Sequence, residues 1–167
     1  MFKILNKIRK TGIVTEVISR DPDLETLGIE LRRHVDRRMR GSFAIRAVDS
    51  GSCNACELEI HALNNPYYDI ERFGVHFVAS PRHADALLVT GPVSRHMAAA
   101  LKRTYDATPT PKWVIAMGDC PINGGEYGCN YATVGTLESI IPVDLTIPGC
   151  PPTPTQLMQG LLALLQQ

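Results

Sequence analysis

The stretch Phe43-Ala44-Ile45-Arg46-Ala47-Val48-Asp49-Ser50-Gly51-Ser52-Cys53-Asn54-Ala55-Cys56-Glu57 joins an apolar run to a glycine-bearing turn that carries two cysteines. Phe43 to Val48 has the length and side-chain types of a strand. Glu57 to Leu63 then reads as a helix. Strand, tight turn and helix make the first half of a βαβ unit, and the same pattern recurs downstream. Val75-His76-Phe77-Val78 reads as a second strand and Ala86-Leu87-Leu88-Val89-Thr90 as a third, closed by Gly91-Pro92. Met97 to Tyr105 reads as a helix, and Trp113 to Met117 as a fourth strand ended by Gly118. A glycine-rich loop follows from Pro121 to about Gly135. Val143 to Ile147 supplies a fifth strand, and Thr155 to Leu165 the closing helix. Short apolar strands alternating with helices specify an α/β fold with a doubly wound parallel sheet, covered on both faces. In such sheets ligands collect in the crevice beyond the carboxyl ends of the strands.

Upstream of Phe43 the character changes. Asp21-Pro22-Asp23 marks a linker, and a helix is expected over 29–40, with Gly41 as its left-handed stop. Residues 1–12 set Phe2, Ile4, Leu5 and Ile8 among Lys3, Lys7, Arg9 and Lys10, the pattern of an interfacial helix or of an arm on a partner. Residues 1–46 hold 11 Lys/Arg against 6 Asp/Glu and the remainder 6 against 11, so a net charge of zero conceals a basic front and an acidic body. Residues 1–42 are therefore expected to be a basic arm and helix docking on partners or a membrane, and 43–167 the folded domain. A merely solvated basic helix over Glu30 to Arg40 is the plainer alternative.

The 167 residues suffice for one domain with a real core. Nothing approaches the roughly 18 to 20 apolar residues of a membrane-spanning helix, and residues 1–10 lack a signal peptide's apolar core and cleavage site. The expected compartment is therefore reducing. There clustered thiols point to metal or redox chemistry, and an odd count of 5 cysteines fits a disulfide framework poorly. No aromatic platform accompanies the basic residues, so nucleic acid is not an expected partner. Phosphate-loop, dinucleotide and Ser/His/Asp patterns are absent from the sequence.

Four cysteines each follow an expected strand: Cys53 and Cys56 after the first, Cys120 in Met117-Gly118-Asp119-Cys120-Pro121, and Cys150 in Pro148-Gly149-Cys150-Pro151-Pro152. Parallel topology brings those strand ends to one edge. Four thiolates, with prolines after two of them, suit a [4Fe–4S] cluster. The start of a helix near Cys56 is expected to ease negative charge there. Two other chemistries share parts of the pattern: a Cys-x-x-Cys dithiol, and a four-cysteine zinc site, although zinc sites usually pair two short knuckles. Cys129 follows no strand and is read as a bystander. Glu57 complements the helix dipole, or serves as a proton relay or tuning group beside a cluster. Arg82, His83 and Asp85 precede the third strand, where capping or ion pairing is expected. The remaining histidines (34, 61, 76 and 96) show no ligand spacing.

The segments Gly51–Glu57, Tyr68-Asp69-Ile70-Glu71-Arg72-Phe73-Gly74, Ser80-Pro81-Arg82-His83-Ala84-Asp85, Val89-Thr90-Gly91-Pro92-Val93 and Ile141–Pro154 carry a resemblance over about residues 43–165. The chain resembles the small, electron-transfer subunit of membrane-bound energy-converting [NiFe]-hydrogenases (formate hydrogenlyase, hydrogenase-4 and Ech-like types). It is also similar to the homologous cluster-bearing 20 kDa subunit of respiratory complex I. Complex I subunits carry adjacent cysteines at the first ligand pair, so the spaced Cys53–Cys56 pair favours the hydrogenase side. Family members often have glycine where Ala55 stands, and the Pro121–Tyr127 loop matches only loosely.

The resemblance implies a flavodoxin-like fold with one [4Fe–4S] cluster at the carboxyl ends of the strands, held by Cys53, Cys56, Cys120 and Cys150. It implies no catalytic residue in this chain, which would relay electrons within a multi-subunit oxidoreductase. The expected partners are a NiFe-type large subunit, a ferredoxin-like iron–sulfur subunit and membrane-embedded subunits, on the cytoplasmic side of the membrane. Without the C-terminal extension of soluble hydrogenases, a single cluster is expected. Complex I-type quinone reduction, sulfur reduction and a zinc-stabilised structural role are the alternatives.

Overall fold

Ala86-Leu87-Leu88-Val89-Thr90 is buried at all its positions, which a strand achieves only inside a sheet with both faces covered. The computed structural model describes residues 2–12 and 21–167 and places this strand at the sheet's centre. In chain order the elements begin with α1 (Phe2–Thr11), α2 (Pro22–Met39), β1 (Phe43–Asp49), α3 (Ala55–Leu63), β2 (Val75–Phe77), β3 (Ala86–Thr90) and β4 (Val93–Ser94). They continue with α4 (Arg95–Ala107), β5 (Trp113–Met117), α5 (Asp119–Asn123), β6 (Thr133–Gly135), β7 (Leu145–Ile147) and α6 (Pro154–Gln166).

The main sheet has 5 strands in the order β2-β1-β3-β5-β7, and every neighbouring pair is parallel. Counted along the chain within this sheet the order is 2-1-3-4-5, that of flavodoxin-like folds. The register aligns the strand ends: Asp49 lies opposite Thr90, Thr90 opposite Met117, and Met117 opposite Ile147. All the loops after β1, β3, β5 and β7 therefore leave from one edge.

Alternation divides the core. Phe43, Ile45, Ala86, Leu88, Ile115 and Met117 face a layer formed by α2, α3 and α6. Val48, Leu87, Val89, Val114 and Ala116 face the opposite layer, with Leu101 of α4, Leu137 and Ile141. α6 opens with a capping box, in which Gln156 N–H donates to Thr153 Oγ1 and Thr153 N–H donates to Gln156 Oε1.

α2 differs from the sequence reading. It starts at Pro22, seven residues earlier than expected, because Asp21 caps it by accepting from Asp23 N–H and Leu24 N–H. The helix ends with Arg40 already left-handed at φ 55°, one residue before Gly41. Leu24, Gly28, Leu31 and Val35 form a 4-3-4 stripe that is buried in the core. A Cβ on Gly28 would stand 2.1 Å from Phe73 Cζ, so only glycine admits this contact. The basic side chains of Arg33, Arg37 and Arg38 occupy the exposed face. Thus α2, grouped from sequence with the arm before residue 43, packs as part of the α/β body. α1 buries none of its residues, leaving Phe2, Ile4, Leu5 and Ile8 exposed.

The expected glycine-rich loop contains three short elements: α5, a 3-10 turn at Gly125–Tyr127, and β6, which pairs antiparallel with β4. The strand expected from Val143 begins at Leu145.

Candidate metal centre

Three loops build the site from the aligned strand ends. After β1, Asp49 Oδ1 accepts from the backbone N–H of Gly51 and of Ser52, both at 2.7 Å, which turns the chain sharply. Ser52 Oγ accepts from Asn54 N–H at 2.9 Å and donates to Glu57 Oε2. Asn54 takes a left-handed conformation at φ 74°, which asparagine tolerates better than most residues. α3 then starts at Ala55, with Cys56 in its first turn.

Glu57 is held from two sides. Ser52 binds one carboxylate oxygen, and the buried Thr90 hydroxyl at the end of β3 donates to the other. The carboxylate ties the Cys53–Cys56 loop to the neighbouring strand, a role not visible from sequence spacing.

After β5, Gly118 turns at φ 89° and Cys120 follows inside α5. After β7, Gly149 turns at φ 139° before Cys150. The last two loops are stitched together: Gly118 N–H donates to Ile147 O at 2.8 Å, and Asp119 N–H donates to Gly149 O at 2.9 Å. The Asp119 carboxylate accepts from Gly149 N–H at 2.8 Å.

The thiols face a space kept clear by glycine. A Cβ on Gly118 would stand 2.9 Å from Cys56 Sγ, and one on Gly125 2.7 Å from Cys120 Sγ. Cys56 is buried, Cys120 half-buried, and Cys53 and Cys150 exposed. Burial pushes the Cys56 thiol up to about 12, and Glu57, Cys120, Cys53 and Cys150 reinforce the shift in that order. Burial also raises Cys120, with Cys150, Cys53 and Asp119 adding to it. The four thiols are thus close enough to repel one another as thiolates. At Cys56 burial raises the thiol despite its place in the first turn of α3, where a helix dipole is worth a fraction of a kcal/mol to about 2 kcal/mol.

Among the described residues, no group of three or more His, Cys, Asp or Glu side chains is close enough to hold a single metal ion. Cys129 is exposed, with its thiol 3.6 Å from Val134 O, and it is not among the groups acting on Cys56 or Cys120. At the opposite edge of the sheet, Asp85 Oδ2 accepts from Ala44 N–H at 2.8 Å, a capping bond.

A flavodoxin-like sheet whose carboxyl edge gathers four cysteines defines a thiol-bearing α/β protein. The chain belongs to the NADH ubiquinone oxidoreductase 20 Kd subunit family, whose model matches residues 53–164. It is 50% identical over 120 residues to the probable membrane-bound hydrogenase subunit mbhJ of Pyrococcus furiosus, spanning 72% of each chain. It is also similar to a chain of the membrane-bound sulfane sulfur reductase, an archaeal respiratory membrane complex. The TM-score is 0.68 and the identity 37%, over 82% of this chain and 75% of the other. A chain of an NAD+-reducing [NiFe]-hydrogenase shares the fold at TM-score 0.58 and 20% identity, over 75% of this chain and 92% of that one. No helix among the described residues is long and apolar enough to cross a membrane.

Proposed function

We propose that this chain is the electron-relay subunit of a membrane-bound hydrogenase, carrying one [4Fe–4S] cluster on Cys53, Cys56, Cys120 and Cys150. The observation that supports this most directly is the convergence of four thiols from three loops at one sheet edge, with Gly118 and Gly125 keeping room around two of the sulfurs. One short Cys-x-x-Cys pair with two further thiols from separate loops suits a cluster better than the zinc alternative, which usually pairs two short knuckles.

When bound, the cluster supplies a one-electron carrier. The chain's own residues hold its ligands in place. Glu57 braces the Cys53–Cys56 loop, and burial around Cys56 keeps one side of the site dry. The exposed Cys53 and Cys150 mark the side toward which a NiFe-type large subunit would dock. A ferredoxin-like subunit would exchange electrons with the site, and membrane-embedded subunits would anchor the assembly on the cytoplasmic face. By this reading no residue of the chain is catalytic.

The test is anaerobic purification with partner subunits, followed by EPR of the reduced protein. Cys120→Ser and Cys150→Ser should each abolish one cluster signal, and Cys129→Ser should leave it unchanged. The reverse pattern would overturn the ligand set. Similarity to the sulfane sulfur reductase chain favours one second reading, in which the large-subunit partner reduces sulfur compounds. Two Cys-x-x-Cys pairs in the partner large subunit would support hydrogenase, and their absence would favour the reductase.

A further inference from the structure

Three aspartates stand at the ends of the parallel ladders, and each makes the same reciprocal pair of bonds. Asp85 N–H donates to Ala44 O at 2.7 Å while its Oδ2 accepts from Ala44 N–H at 2.8 Å. Asp144 N–H donates to Val114 O at 2.9 Å while its Oδ2 accepts from Val114 N–H at 2.7 Å. Asp119 N–H donates to Gly149 O at 2.9 Å while its Oδ1 accepts from Gly149 N–H at 2.8 Å. In each pair a single aspartate satisfies both backbone groups of the residue across from it. The carboxylate stands in for the carbonyl that a longer strand would have supplied.

Asp85 and Asp144 close the ladders at the amino edge of the sheet, away from every cysteine. Asp119 lies at the carboxyl edge. There the regular β5–β7 register ends at Met117 opposite Ile147, and Gly118 N–H makes one further bond to Ile147 O. Asp119 then carries the pairing on to Gly149. The next residues along the two segments are Cys120 and Cys150.

We propose that Asp119 is a positioning residue whose carboxylate extends the β5–β7 register to Gly149 and thereby sets the separation of the Cys120 and Cys150 thiols. The inference rests on these two cysteines being ligands of the proposed cluster. Gly149 is where such a tether has most effect. At φ 139° it occupies backbone space that other residues rarely adopt, and as glycine it has the most conformational freedom to lose. A Cβ there would stand 2.7 Å from Pro152 Cα, so a bulkier residue cannot stiffen this turn. The stiffness has to come from across the gap, and Asp119 holds both polar groups of the Gly149 backbone. Asparagine retains a side-chain carbonyl able to accept the same bond, whereas alanine does not.

The experiment uses the anaerobically purified complex and follows the EPR signal that Cys120→Ser removes. Asp119→Ala is expected to lose at least half of that signal or shift its g-values. Asp119→Asn should restore wild-type intensity and g-values, with the reduction potential moved upward because a negative charge has gone. Asp85→Ala breaks the same bond pair far from the thiols, and should lower the melting temperature while leaving the signal intact. An unchanged signal in Asp119→Ala overturns the inference. So does an equal loss in Asp119→Asn, or a loss in Asp85→Ala matching that of Asp119→Ala. A signal that survives Cys150→Ser refutes the ligand reading and the inference with it. A signal lost in Cys150→Ser but kept in Asp119→Ala sinks the inference alone.

Discussion

Replacing Gly118 with alanine separates two costs that usually come together. Gly118 sits at φ 89°, ψ 168°, a backbone region open essentially only to glycine. Gly128 sits in the same region, at φ 58°, ψ −167°. A Cβ on Gly128 meets nothing within 4 Å, whereas one on Gly118 stands 2.9 Å from Cys56 Sγ and 3.3 Å from Gly149 O. Gly128→Ala therefore carries only the backbone strain, about 1–3 kcal/mol. Gly118→Ala carries that strain and an overpacking cost of about 1–3 kcal/mol more. Cys56 has no long side chain to swing aside, so its sulfur must shift. Guanidinium denaturation of the two variants should show the additional loss in Gly118→Ala only, and only that variant should weaken the cluster EPR signal. Equal midpoints and equal spectra for the two alanines would refute the idea that Gly118 is there to make room for the thiol.

Two further outcomes bear on the scaffold. Leu31 is fully buried against the core, so Leu31→Ala should cost about 2–5 kcal/mol in urea unfolding, whereas the exposed Arg33→Ala should stay within about 0.5 kcal/mol. Thr90→Val removes the hydroxyl that donates to the Glu57 carboxylate at a buried position, which should cost about 1.5–3 kcal/mol. Most of that cost should disappear in a Glu57→Ala background, and a double-mutant cycle showing full additivity would mean the two side chains do not interact.

The parallel sheet could be read from the chain because Leu87 to Val89 and Val114 to Met117 are apolar on both faces, leaving few other places for them. The convergence of the cysteines followed from strand ends alone. α2 was only half legible. Its buried stripe includes Gly28, which no count of apolar residues registers, and its contact with Phe73 comes from 45 residues downstream. β4 and β6, of two and three residues, are too short for periodicity and exist because they pair with each other. Val143 looked like the first residue of the last strand, yet it packs on the other core layer, and Asp144 instead caps Val114. Asp119 does not stand out in the sequence, because aspartate before a cysteine looks like ordinary loop polarity. A signal was present in the repetition of aspartate at Asp49, Asp85, Asp119 and Asp144, each at or beside a strand end. Its meaning depended on which strands are neighbours.

The order of strands in the sheet has a consequence in time. The thiols of Cys53 and Cys56 leave the ribosome long before Cys150, and β7 can pair only with β5 at the sheet's edge. β7 is then held from above by α6, where Gly160 packs so closely that a Cβ would lie 2.5 Å from Ile147 Cδ1. The fourth thiol therefore reaches its place only once β7 has paired and α6 has packed on it. The β5–β7 pairing joins residues about 30 positions apart, so Cys53, Cys56 and Cys120 are all synthesised before the strand that carries Cys150 can pair. In the proposed reading, the complete set of four ligands therefore exists only after β7 has paired with β5.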